Sequence, residues 1–194
     1  MKVDEVIAKI RYRLSDFTDE AYDNASLFQY INDGAKDFAQ TGCCQFTETF
    51  GATAVAEYTP SLTYKWLVVF GMDYNDVPLD FAPLVEARKW DPAAGTPKGW
   101  TIWADTIYLD ALAATLTDGL RVWYTFVPDD ISATGDTSPL DEKWSNALVS
   151  YCVFRCLDGD RDGHAMAARA EYDAAKATAS LIYQAQMMFG GYAA

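Results

Sequence analysis

The hydrophobic period of this chain changes twice, and few folds accommodate both changes. Val3, Val6, Ile7, Ile10 and Leu14 recur at helical spacing, which puts them on one face of a first helix. Lys9, Arg11 and Arg13 lie towards its C-terminal end, where cations suit the helix dipole. Residues 15–25 are polar and turn-like. Ser26, with Gln29 three residues on, reads as a capping box for a second helix. Its apolar face is Leu27, Ile31, Gly34, Ala35 and Phe38, and Gly42 is its C-terminal stop.

From Cys43 to Asp130 the period drops to two. Gln45 to Phe50, Val55 to Tyr58 and Trp66 to Tyr74 read as strands, with a turn at Tyr74-Asn75-Asp76-Val77. Residues 79–90 favour a short helix. Asp91 to Gly99 holds two prolines and two glycines and reads as a loop. Thr106 to Asp110 and Leu120 to Val127 read as a pair of strands. In the second, Leu120, Val122, Tyr124 and Phe126 point one way and Arg121, Trp123 and Thr125 the other.

Helical spacing then returns. Residues 128–140 form a linker rich in Asp, Ser and Thr. Asp141 caps a third helix whose apolar face is Trp144, Ala147, Leu148, Tyr151 and Cys152. The last helix runs from about Asp162 to Phe189, with a seam at Ala165, Ala168, Tyr172, Ala175, Ala179 and Ile182. So narrow a seam of small residues permits close helix approach. The expected fold is α+β but mainly α: a bundle of two N-terminal and two C-terminal helices carrying a small inserted antiparallel β subdomain. Residues 1–194 are expected to form one domain. Residues 1–42 are helical, 43–130 the β-rich insertion, 141–189 helical again and 190–194 a loose tail.

The formal charge is −13, and no cluster of Lys and Arg marks a surface that grips nucleic acid. The acidic residues keep the surface solvated, or line a channel that repels DNA and lets it slide. Met1-Lys2-Val3-Asp4-Glu5 is charged and no apolar core follows, so no signal peptide is expected. No apolar run reaches the length of a membrane span. The four cysteines fall as Cys43-Cys44 and Cys152/Cys156, a pattern of reduced, mostly buried thiols rather than a disulfide framework.

Sites of chemistry are few. Asp158-Gly159-Asp160-Arg161-Asp162-Gly163 has the opening of a calcium loop, with Asp158, Asp160 and Asp162 as ligands. Its twelfth position is Arg169, a cation where a bidentate carboxylate is needed, so a polar interhelical turn is the expectation. His164 is the only histidine, which removes any site needing two imidazoles. Glu48, Glu57, Glu86, Asp105 and Asp110 offer carboxylates for a glycosidase pair, a signal of little weight in so acidic a chain. Trp90, Trp100, Trp103 and Trp123 suit packing or a sugar platform. Met187, Met188, Phe189 and Tyr192 either continue the core helix or form a docking arm hinged at Gly190-Gly191. No catalytic residue and no cofactor is expected.

Several pieces stand in a telling order. These are the helix Leu27-Phe28-Gln29-Tyr30-Ile31-Asn32-Asp33-Gly34-Ala35, the Gly95-Thr96-Pro97 turn and the strand Ile107-Tyr108-Leu109. The Tyr124-x-x-x-Pro128 strand end, the Pro139-Leu140-Asp141 step and the helix Leu148-Val149-x-Tyr151 follow. This order resembles the head-to-tail adaptor, or connector, proteins of tailed bacteriophages, from the first helix to about residue 185. The resemblance implies a structural virion protein of the neck, assembled in the host cytoplasm. It implies a homo-oligomeric ring, usually dodecameric, between the portal protein and a tail or nozzle protein. Double-stranded DNA would pass through its lumen without sequence-specific binding, and no membrane would be involved. Met187, Met188, Phe189 and Tyr192 become the candidate portal docking arm. The alternatives are another non-enzymatic head-completion or tail component, or a peptidoglycan-degrading tail protein.

Overall fold

A computed structural model of the chain describes residues 1–16, 21–51, 56–60, 63–113, 119–157 and 163–188. The first helices are α1 (Val3–Leu14) and α2 (Asn24–Ala39). Strands β1 (Gln45–Phe50), β2 (Glu57–Tyr58), β3 (Trp66–Tyr74), β4 (Val77–Pro78) and β5 (Asp80–Phe81) follow, then the short helix α3 (Leu84–Ala87). Next come β6 (Ala94–Gly95), β7 (Gly99–Trp103), β8 (Thr106–Leu109), β9 (Leu112–Ala113) and β10 (Leu120–Phe126). Helices α4 (Ser145–Cys156) and α5 (Gly163–Met188) complete the order. The chain divides into two compact units, Met1–Cys44 with Val127–Ala194, and Gln45–Phe126.

In the helical unit, α1 buries Val3, Val6, Ile7 and Ile10 as the spacing requires. It ends at Ser15, which is left-handed (φ 56°) and whose N–H returns to the carbonyls of Arg11 and Tyr12. Arg11 is buried too, and pairs with Asp16 at 2.9 Å. The α2 cap is Asp23, not Ser26: the Asp23 carboxylate accepts the Ser26 N–H at 2.7 Å. Two capping residues three apart left the choice open locally. Helix α4 is buried nearly all round, on Ala147, Leu148, Val149, Ser150, Cys152 and Val153. Asp141 does not cap it through its side chain. A 3₁₀ turn at Glu142–Trp144 precedes the helix, and the Asp141 carbonyl accepts the Trp144 N–H.

Helix α5 buries Ala165, Ala168, Tyr172 and Ala179, but Ile182 is 47% exposed. Tyr183 takes the inward place. Five turns of 3.6 residues from Ala165 reach 183, whereas a 3.5-residue seam drifts to 182. Gly42 (φ +83°) makes room for that ring, since a Cβ there would meet Tyr183 at 2.6 Å.

Residues 128–140 are pinned rather than a free linker. Asn32 clamps Ile131, accepting its N–H at 2.9 Å and donating to its carbonyl at 3.1 Å. Lys2 bridges to Thr137 in antiparallel fashion, and the Asp136 carboxylate accepts the N–H groups of Ser132 and Ala133.

The second unit holds two four-stranded sheets, ordered β1-β10-β3-β4 and β2-β8-β7-β5, and a two-stranded pair β6-β9. One core joins the two larger sheets: Met72, Tyr74, Leu120, Val122 and Tyr124 from the first meet Trp100, Ile107 and Leu109 from the second. The expected alternation holds from Leu120 to Tyr124. Register shifts at Trp123/Tyr124 and Thr125/Phe126 then break it, and Thr125 is buried with Val68 on its hydroxyl. β8 and β10 do not pair; they lie in different sheets. The expected Asn75-Asp76 turn is present with both residues at positive φ, the requirement of a type I′ hairpin. A second such turn, Ala104-Asp105, carries no glycine or asparagine and was not legible.

The expected fold class is corrected by this architecture. Among the described residues 43% are helical and 26% lie in strands, and the sheets are two of four strands each. The chain is therefore not a mainly α helical bundle with a small insertion. Nor is the β-rich part wholly antiparallel: β5–β7 and β6–β9 are parallel. Strands of two residues carry too little periodicity to be read locally, which hid β4, β5, β6 and β9, and the five-residue β7 was not expected either.

Candidate interaction surfaces

The calcium-like positions Asp158, Asp160 and Asp162 lie outside the described residues, as do Phe189 and Tyr192. Met187 and Met188 end α5, and only their backbone is described. The neighbourhood of the loop is informative. Arg169 stacks over the Phe154 ring at 5.2 Å and reaches Asp173 at 3.7 Å. Glu171, the nearest acid to the twelfth loop position, is already held by Arg13 and Ser150, each at 2.8 Å. Those two hydrogen bonds hold it below its ordinary carboxylate pKa. His164 is exposed at the start of α5.

Three of the carboxylates suggested for hydrolysis have separate structural duties. Glu48 accepts the Tyr124 hydroxyl at 2.8 Å and the Thr63 hydroxyl at 2.7 Å. Burial raises its pKa, but these hydrogen bonds outweigh that and hold it below the ordinary value. Tyr124 is raised by burial and by the Glu48 carboxylate, so the pair is a fixed neutral-donor, anionic-acceptor contact. Asp105 accepts the Trp66 indole N–H at 3.1 Å, and Asp110 accepts the Lys98 backbone N–H at 2.9 Å. Each of these three carboxylates is engaged by a different partner.

Nor do the four tryptophans form one platform. Trp100 is in the sheet core, donating to the Leu79 carbonyl. Trp123 stacks under Arg121 at 4.9 Å. Trp90 and Trp103 alone share a pocket of about 340 Å³, with Tyr108, Arg88 and Glu57 on its walls. Trp103 is 55% exposed, and exposed Trp beside Tyr and Arg is the composition of protein-docking hot spots.

The helical unit offers two further surfaces. A groove of about 670 Å³ is lined by Ala8, Lys9, Tyr12 and Arg13 of α1, by Asn146, Ala147, Val149 and Ser150 of α4, and by Glu171 and Ala175 of α5. The outward side of α5 exposes Met166, Ala167, Ala170, Ala174, Ala177 and Leu181. These positions recur at three and four, so they form an uncharged stripe opposite the buried seam. Sequence reasoning missed it because alanines on both sides blur the two faces. Beneath, Asp37 of α2 accepts from Tyr172 at 2.6 Å and from Lys176 at 2.7 Å, locking α2 to α5. Among the described residues no three His, Cys, Asp or Glu side chains gather as a metal site. No helix of the described residues is long and apolar enough to cross a membrane.

These are the surfaces that the described residues present, and a comparison with protein families places the chain. The family model for the SU10 adaptor protein matches residues 1–190. No curated protein matches the chain. With nearly its whole length matched, the chain belongs to the SU10 adaptor family, a phage head-tail adaptor family.

Proposed function

We propose that this adaptor is a subunit of a ring, dodecameric by expectation, in the neck of a tailed-phage virion. In this reading the ring sits between the portal and a tail or nozzle protein, and double-stranded DNA leaves through its lumen. The match to the SU10 adaptor family over residues 1–190 carries the reading. An adaptor family is structural in general, and we extend that to this chain: it binds neighbours and catalyses nothing. The charge of −13 supports a lumen that passes DNA without holding it. The α1–α5 groove, the α5 stripe and the Trp103 pocket are surfaces of the kind ring neighbours and tail proteins cover. Both compact units serve in one adaptor domain. Met187, Met188, Phe189 and Tyr192 form the arm that docks on the portal, because flexible Met and aromatic side chains repack readily on a partner. Assembly takes place in the host cytoplasm.

The test is to mix the purified protein with the portal of the same genome and image it by electron microscopy. A second ring stacked on the portal is the expected result and counts its subunits. Bare portals across salt and protein concentrations would move the chain to another head-completion or tail position. Truncation after Ala185 should abolish portal binding with helicity nearly intact; unchanged binding would remove the arm.

A further inference from the structure

We propose that Cys43 and Cys44 form a dithiol site for a trivalent arsenical, a thiophile that takes two sulfurs at once. The site lies beyond anything the adaptor role requires. Consecutive side chains of an extended chain point to opposite sides, which would keep two neighbouring thiols apart. Here the chain leaves α2 through a turn that Gly42 makes at φ +83°, with the Thr41 hydroxyl on the Phe38 carbonyl at 2.8 Å. The two sulfurs come out 3.8 Å from each other. The two sulfurs of a pyramidal trivalent arsenic stand closer together than this, so the pair, already in mutual contact, needs only a small closing movement to chelate. Cys43 is half-buried and reachable, and Cys44 is buried behind it.

The number of donors selects the ligand. Among the described residues no third His, Cys, Asp or Glu completes a metal site here, and zinc needs four ligands in a structural site. A monosubstituted arsenical brings its own third substituent. With an arsenoxide, the Cys43 thiolate attacks arsenic and the Cys44 sulfur follows. Two S–H bonds and the As–O bond are lost, two As–S bonds form, and the oxygen leaves as water with both thiol protons. Arsenic stays trivalent, so no oxidant is needed.

The local electrostatics favour this order. The hydrogen bond shared with Cys44 holds Cys43 below the ordinary thiol pKa against the effect of burial, with Thr41 and Lys143 helping and Asp141 opposing. That same bond, with burial, pushes Cys44 up. The other two cysteines are poor competitors. Burial drives Cys152 well above its ordinary value and Cys156 up to about 11.

The experiment uses the full reduced chain and phenylarsine oxide. Intact mass should show one arsenical per chain, reversed by a dithiol but not by a monothiol at equal thiol concentration. Tryptic mapping of the unmutated protein should place it on Asp37–Lys65, which holds both Cys43 and Cys44, and not on Trp144–Arg155 or Cys156–Arg161. Cys43→Ala and Cys44→Ala should each weaken capture by about a hundredfold or more, the loss expected when a chelate becomes a single bond. Cys152→Ala should leave it unchanged. An adduct on the other peptides, or wild-type affinity in the Cys43→Ala/Cys44→Ala double variant, would overturn the site. The peptide map needs no variant, so a misfolded substitution cannot obscure the answer.

Discussion

Asn32 shows how much one side chain can organise. Its amide supplies a donor and an acceptor to the two backbone groups of Ile131, acting as a strand would. That contact fixes a segment which composition alone reads as a free linker. Asn32→Ala leaves both groups without their partner, at a cost of about 1–3 kcal/mol. Urea unfolding should report that loss, and a change under about 0.5 kcal/mol would mean that water replaces the amide. Gly34 is a second case. Added at Gly34, a Cβ would sit 2.6 Å from the Tyr151 ring, which packs tilted against Tyr172 with centroids 5.0 Å apart. Alanine's helix advantage over glycine, about 1 kcal/mol at most, is smaller than the usual cost of such overpacking, about 1–3 kcal/mol. The sequence marked Gly34 as lying on the buried face of α2, but only the packed ring explains why it is not alanine.

Among the elements, the hairpin β7–β8 carries the clearest local conflict. Its turn holds Ala104 at φ 49° and Asp105 at φ 60°. Aspartate tolerates the left-handed region through local hydrogen bonds, but alanine has no such help and is strained by about 1–2 kcal/mol there. Ala104→Gly should therefore stabilise the protein by about 0.5–1 kcal/mol after the entropic cost of glycine is deducted. A thermal melt would show it, and a lower melting temperature would mean that the turn tolerates alanine better than its backbone suggests. The contrast with Asn75-Asp76 explains legibility: one hairpin uses residues that announce their turn, the other does not. Helix α5 teaches a related point, because the choice between Ile182 and Tyr183 rests on a tenth of a residue per turn.

For the molecule as a whole, acid is the informative perturbation. Burial raises the pKa of Asp37, yet the hydrogen bonds and charge of Lys176 and the Tyr172 hydroxyl hold it below its ordinary 3.8. Glu48 is held below its ordinary 4.5 by Thr63 and Tyr124. Because folding depresses both values, each contributes stability that is complete above its unfolded pKa. That contribution is lost as pH falls through the folded one. Denaturant midpoints should hold steady down to about pH 4.5 and fall below it. Asp37 belongs to the helical unit and Glu48 to the sheet unit, so both units feel the loss. Asp37→Asn should lower stability at neutral pH and flatten the acid limb; an acid limb as steep as in the unmutated protein would show that Asp37 is not one of its sources.

Periodicity alone placed α1, α2, α4, α5 and the strands β1, β3, β8 and β10, and the match over residues 1–190 followed from the same string of residues. Hydrophobic spacing is a local property, fixed by which neighbours share a face, so α1, α2, α5 and the first part of β10 were readable. Only the tertiary structure decided that β8 and β10 join different sheets, that Asp23 rather than Ser26 caps α2, and that Cys43 and Cys44 meet. Each of those is a choice among partners that the local pattern leaves nearly equal in energy, and it is settled by which alternative packs with the rest of its unit.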